Sequence, residues 1–62
     1  MNGYYRDLIK ILKAHGYYFL RHGRGDHEIW FNGKTIFTVD KKGKAKPTAN
    51  SALKKAGIKE RV

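Results

Sequence analysis

Apolar residues recur along the first quarter of the chain at helical spacing. Tyr5, Leu8, Ile9 and Leu12 fall at i, i+3, i+4 and i+7, which predicts one buried stripe on a helix from about Tyr4 to His15, with Tyr4 and Ile11 widening it. Asn2 is placed to cap its start, and Gly16 supplies a left-handed residue to end it. The pattern then shortens. Tyr17 to His22 is a brief aromatic-rich run, read as a strand. Gly23, Arg24, Gly25 and Asp26 tolerate the angles of a tight turn, and His27 to Phe31 is a second strand. Asn32-Gly33 is a strong hairpin signal, leading to a third strand from Lys34 to Val39. A basic loop runs from Asp40 to Lys46. Thr48, after Pro47, is a candidate N-cap for a second helix with Ala49, Ala52, Leu53 and Ala56 as its apolar stripe and Gly57 as its end. The tail from Lys59 to Val62 reads as loose.

Helix, three strands, helix is an α+β order. A three-stranded antiparallel sheet buries one face, and two helices can cover it. The expected fold is the α-β-β-β-α layout of double-stranded-RNA-binding domains, in a single domain of residues 1–62. Leu8, Ile9, Leu12, Ala52 and Leu53 are expected to be buried together, with Tyr5, Tyr17 and Phe19 in the core. Alternation along the second strand sets Ile29 and Phe31 against Glu28 and Trp30. Trp30 is therefore expected on the polar face, where an aromatic ring can stack a base or be covered by a protein partner.

Composition narrows the function. Fourteen Lys and Arg against five Asp and Glu give a net charge of +9, which attracts nucleic acid or an acidic protein. With 62 residues the chain has room for one core and no large catalytic cavity. The absence of cysteine excludes disulfides and cysteine-ligated zinc. There is no long apolar run for a membrane span, and Arg6, Asp7 and Lys10 interrupt what a signal peptide would keep apolar. A soluble, cytoplasmic protein is expected. The three histidines are scattered, and Asp7, Asp26, Glu28, Asp40 and Glu60 form no carboxylate cluster for Mg²⁺, so neither metal nor cofactor is expected.

Were the nucleic acid RNA, it would carry its own nucleophile in the 2′-hydroxyl. Its cleavage needs proton transfer, which suits imidazole, and positive charge on the phosphorane oxygens, which suits Lys and Arg. His27 opens a strand directly after a glycine turn. Taken alone, it reads either as a proton-transfer group or as a strand-edge histidine bonded to backbone. Arg21 and Arg24 flank that turn. Lys41, Lys42, Lys44 and Lys46 form the densest basic stretch, read as a phosphate contact or as a solvated loop. Asp26 reads as a turn residue or as a carboxylate that tunes His27. His15, in the last turn of the first helix, reads as structural, and nothing singles out His22.

Three blocks in this order carry a resemblance. They are Leu8 to Gly16 followed by aromatic Tyr17, Arg21 to His27, and Thr48 to Ile58. The chain resembles the HicA toxins of toxin–antitoxin systems from Leu8 to Ile58, the middle block being similar to the family's Arg-x-x-Gly-Ser-His. The resemblance implies a small, metal-independent endoribonuclease that cleaves mRNA and halts growth. It implies one catalytic histidine, here at the position of His27. It further implies a HicB-type antitoxin that covers the site, giving a toxin–antitoxin hetero-oligomer and a monomeric free toxin. Two positions depart from the family pattern. Asp26 stands where serine or threonine is usual, and Val39-Asp40 stands where Val-Pro is common. The alternatives are a non-catalytic double-stranded-RNA-binding module and an antitoxin-binding protein without nuclease activity.

Overall fold

Both helices end in the same backbone device. In the computed structural model, which describes residues 4–43 and 45–62, α1 spans Tyr5–Ala14 and α2 spans Lys46–Lys55. Each is followed by a left-handed glycine, Gly16 at φ 84° and Gly57 at φ 82°. After α1 the Tyr17 amide donates to the Leu12 carbonyl at 2.9 Å, and the Gly16 amide to Lys13 at 3.1 Å. After α2 Ile58 donates to Leu53 at 2.9 Å and Gly57 to Lys54 at 3.0 Å. This pair of bonds requires the positive φ that glycine adopts without strain. It folds Tyr17 and Ile58 back into the core that holds Leu12 and Leu53.

The start of α2 differs from the expectation. Thr48 lies inside the helix, Ala45 is the N-cap without a side-chain bond, and Pro47 sits in the first turn. Proline's fixed φ suits that turn, and its missing N–H would have had no helical partner there. The expected cap Asn2 lies outside the described residues.

Between the helices, β1 (Tyr18–His22), β2 (His27–Phe31) and β3 (Ile36–Asp40) form an antiparallel sheet in the order β1-β2-β3. The strand β3 begins two residues later than the sequence suggested. Asn32 Oδ1 accepts bonds from the Lys34 amide at 2.9 Å and the Thr35 amide at 2.6 Å. That side chain closes a loop over residues 32–35, with Phe31 paired to Ile36, in place of a two-residue Asn-Gly turn.

One core joins the inward faces of the two helices and of the sheet. Leu8 and Leu12 of α1, Ala49 and Leu53 of α2, and Trp30, Phe37 and Val39 of the sheet belong to it, so both helices cover the same sheet face. Leu12, Leu53 and Val39 are fully buried, each contributing about 1.5–3 kcal/mol of transfer free energy. Ile9 and Ala52 are partly buried against this core, as is Tyr5.

The phase of the sheet is opposite to that expected. Glu28 and Trp30 face the helices and are 6% and 5% exposed, whereas Ile29 and Phe31 face outward and are only partly covered. Trp30 is thus a core residue. Phe19, expected in the core, lies on the edge strand and is 43% exposed. The tail is tied down rather than loose, because the Val62 amide donates to Asn50 Oδ1 at 2.8 Å and Glu60 pairs with His15. Among the described residues no helix is long and apolar enough to cross a membrane.

Candidate active site

The turn between β1 and β2 sets the position of His27. Gly25 has φ 56°, and Asp26 after it does not have positive φ. This is the requirement of a type II′ turn, with glycine at the first central position. The His27 amide closes the turn by donating to the Arg24 carbonyl at 3.0 Å, and the Gly23 amide donates to the His27 carbonyl at 2.8 Å.

The same Arg24 carbonyl also lies 2.9 Å from His27 Nδ1. A carbonyl only accepts, so Nδ1 carries the proton in this bond. In the neutral ring Nε2 is then left with its lone pair, on an exposed side chain. Imidazole orientation and tautomer are thus fixed by backbone alone. Alternation along β2 puts His27 with Ile29 and Phe31 on the sheet face away from the helices.

Arg21 reaches that face through an irregularity. Phe19 pairs with Trp30, but Arg21, two residues on, pairs with Ile29. The extra residue is Leu20, a bulge. Without it, Arg21 would share the inward side of Phe19. With it, Arg21 turns to the outward face that carries His27, and His22 turns inward opposite Glu28. Ring contacts agree, since Phe19 lies 5.1 Å from His22 and 6.1 Å from Trp30 between centroids.

The basic loop lies against the turn. The Lys41 amide donates to the Asp26 carbonyl at 3.1 Å, and Asp40 pairs with His27 across the strands. Lys42 Nζ is 3.3 Å from the Asp26 carboxylate. Both groups are well exposed, so the pair contributes roughly 0–1 kcal/mol. It holds the aspartate's charge on a lysine. The structure therefore groups His27, Arg24, Asp26, Lys41 and Lys42 around one turn, with Arg21 on the same sheet face. Lys46 opens α2 and is exposed, with no bond tying it to that turn, and Lys44 lies outside the described residues. Among the described residues no three His, Asp or Glu side chains converge as a metal-ligand set.

On the opposite face is a polar group the sequence did not mark. Glu28 Oε1 accepts from Tyr5 Oη at 2.8 Å and from Trp30 Nε1 at 3.0 Å. Burial, then the bond to Glu28 and its charge, push the Tyr5 phenol up to about 12. Tyr4 is raised as well, by burial first and by the charge of Asp40 second. A glutamate beside a tryptophan two residues on was the available signal, since a buried indole N–H needs an acceptor.

The model of the family described as the HicA toxin of bacterial toxin–antitoxin systems matches residues 5–58. The chain belongs to the HicA toxin family. It is accordingly a toxin of a toxin–antitoxin system. No curated relative and no solved structure matches it. The match takes in both helices up to Ile58 and the whole sheet, and so includes the turn that holds His27. Counted back from His27, Arg21 stands six positions away, one more than the arginine of the Arg-x-x-Gly-Ser-His pattern. In this HicA-family chain the Leu20 bulge is what gives that arginine the face of the histidine.

Proposed function

We propose that this HicA-family toxin is a metal-independent endoribonuclease that cleaves mRNA, with His27 as its proton-transfer residue. The observation that carries the reading is the His27 ring itself. Nδ1 is held by the Arg24 carbonyl, which leaves Nε2 free on an exposed side chain at a turn whose neighbouring residues include Arg24, Lys41 and Lys42. In the proposed step Nε2 takes the proton of a ribose 2′-hydroxyl. The 2′ oxygen attacks the adjacent phosphorus, the P–O5′ bond breaks, and a 2′,3′-cyclic phosphate and a 5′-hydroxyl result. In-line displacement puts the leaving oxygen on the far side of phosphorus, so its proton comes from water rather than from His27. Arg21, Arg24 and Lys41 are the groups proposed to hold the phosphate and to offset its growing charge, with Lys46 extending the basic surface.

The partner that restrains such a toxin is proposed to be a HicB-type antitoxin, acidic where it meets the +9 chain and seated over the turn in a cytoplasmic complex. Asp26 in place of serine does not weaken the reading. Its carboxylate is engaged by Lys42, so its negative charge is partly offset where phosphate would approach. The test is product chemistry in EDTA. Single-stranded RNA should yield cyclic-phosphate and 5′-hydroxyl ends, and fully 2′-O-methylated RNA should stay intact. Ends carrying 5′-phosphate, or cleavage of the methylated strand, would show a different mechanism.

A further inference from the structure

We propose that the open face of the sheet is a base-stacking platform for single-stranded RNA, anchored by Tyr18, that holds the strand on the face of His27. The inference rests on the RNA-cleaving reading of the preceding subsection. Four observations carry it.

The first is that the end of this face farthest from the turn is apolar and aromatic although neither described helix covers it. Tyr18 is 50% exposed and Ile36 55%, with Phe31 partly exposed between them. The register pairs Phe31 with Tyr18 on one side and with Ile36 on the other, so the three lie in one row across the sheet. Tyr18 and Phe31 stand edge to face at 6.0 Å between centroids. That arrangement braces the Tyr18 ring and leaves half of its surface open.

The second is continuity with the turn. His27, Ile29 and Phe31 are successive outward residues of β2. At about 3.3 Å per residue, the aromatic row lies about 13 Å from His27 along the strand. That span holds at most about four nucleotides at the 3.4 Å stacked rise, and fewer if the strand is stretched.

The third is the cation between the two ends. Arg21 pairs with Ile29, midway between His27 and the aromatic row, and it is on this face only because of the bulge at Leu20. A phosphate midway along the strand meets a guanidinium there, while bases at the far end meet π faces. A bulge that re-aims one side chain is a common device beside functional sites.

The fourth is charge. The chain as a whole carries +9, so a polyanion gains from the whole surface while its bases seek the apolar row. A duplex keeps its bases paired and offers no free faces, which makes single-stranded RNA the occupant.

The experiment uses the full chain carrying His27→Ala to prevent cleavage, and a short single-stranded RNA with 2-aminopurine at successive positions. Stacking quenches that fluorophore, so it reports the platform directly. Binding should quench 2-aminopurine at one or two positions. Tyr18→Leu, which keeps an apolar surface but removes the π face, should abolish that quench and weaken binding by about 5- to 150-fold. Tyr18→Phe should restore both. With His27 present, Tyr18→Leu should raise KM and leave kcat unchanged, the mark of binding lost equally from ground and transition states. Duplex RNA should bind parent and variant alike.

Intact RNA binding by Tyr18→Leu with an unchanged quench overturns the platform while leaving the ribonuclease reading in place. Loss of antitoxin binding by Tyr18→Leu with RNA binding unchanged assigns the face to the protein partner instead. Concentration-dependent self-association that Tyr18→Leu removes assigns it to a second copy. A parent chain that binds no RNA overturns both readings together.

Discussion

Removing the Glu28 carboxylate should destabilise the domain more than any other change at its polar positions. The side chain is 6% exposed, and one oxygen accepts from both Tyr5 and Trp30. A hydrogen bond to a charged group contributes about 1.5–3 kcal/mol, so two amount to about 3–6 kcal/mol. Glu28→Ala also relieves the desolvation of a buried charge, which offsets part of that. The expected net loss is about 2–4 kcal/mol. A 62-residue domain has roughly 3–9 kcal/mol in all, so the change consumes a large share. Glu28→Gln keeps an acceptor oxygen and should cost about 1 kcal/mol. Glu28→Leu restores packing but orphans the Trp30 N–H, and should therefore fall near Glu28→Ala rather than near the parent. Urea unfolding followed by far-UV circular dichroism gives these values without relying on the fluorescence of Trp30, whose environment the changes alter. Activity at a temperature where the variants are folded should be unaffected, because Glu28 faces away from His27. A loss below about 0.5 kcal/mol for Glu28→Ala would mean that the bonds from Tyr5 and Trp30 to Glu28 do not hold the fold, since surface changes typically lie in that range.

Other consequences follow from the same geometry. Deleting Leu20 should regularise the ladder and leave Arg21 opposite Ile29 on the face of His27, so RNA cleavage should stay near the parent's rate with native far-UV circular dichroism, whereas Arg21→Ala should lower it; loss of cleavage on the deletion would show that the pairing with Ile29 does not place Arg21. The Tyr5 phenol is held up to about 12 in the folded state against an ordinary 10, so the folded chain keeps a proton that the unfolded chain loses between those values. Its contribution is complete below pH 10 and declines as pH rises toward 12, and Tyr5→Phe should flatten that decline in unfolding curves. Lys41→Gln should reduce the slope of log affinity against log salt by about 0.7 on single-stranded RNA, if its charge neutralises one phosphate.

The helices were legible because their signals are local. The stripe of Leu8 and Leu12, the stripe of Ala49 and Leu53, and the two closing glycines each need only neighbours within a few residues. The number and order of strands were legible for the same reason. The sheet's phase was not. His27 to Phe31 offers two alternating sets, one with two apolar residues and one with Trp30 and a glutamate, and the simple rule favours burying the former. What reverses it is tertiary, because Tyr5 and Trp30 supply donors to Glu28 and a large indole fills the space beneath two helices. The bulge at Leu20 had no signal either, since leucine marks no break in a strand. It decided which of Arg21 and His22 joins the face of His27. The turn glycines and His27 itself stood out in the sequence. The bond from Nδ1 to the Arg24 carbonyl, which gives the ring its chemical direction, became visible only when the turn was seen closed.

In the proposed mechanism His27 moves the proton and no metal is needed. Its most direct test is the single-turnover rate of RNA cleavage in EDTA by the parent chain and by His27→Ala, with circular dichroism confirming the same fold. General acid–base participation is typically worth about 10²–10⁴-fold, so a loss of that size is expected for His27→Ala, with His15→Ala and His22→Ala close to the parent. Cleavage by His27→Ala at the parent's rate, or a parent that cleaves only when Mg²⁺ is added, would contradict it.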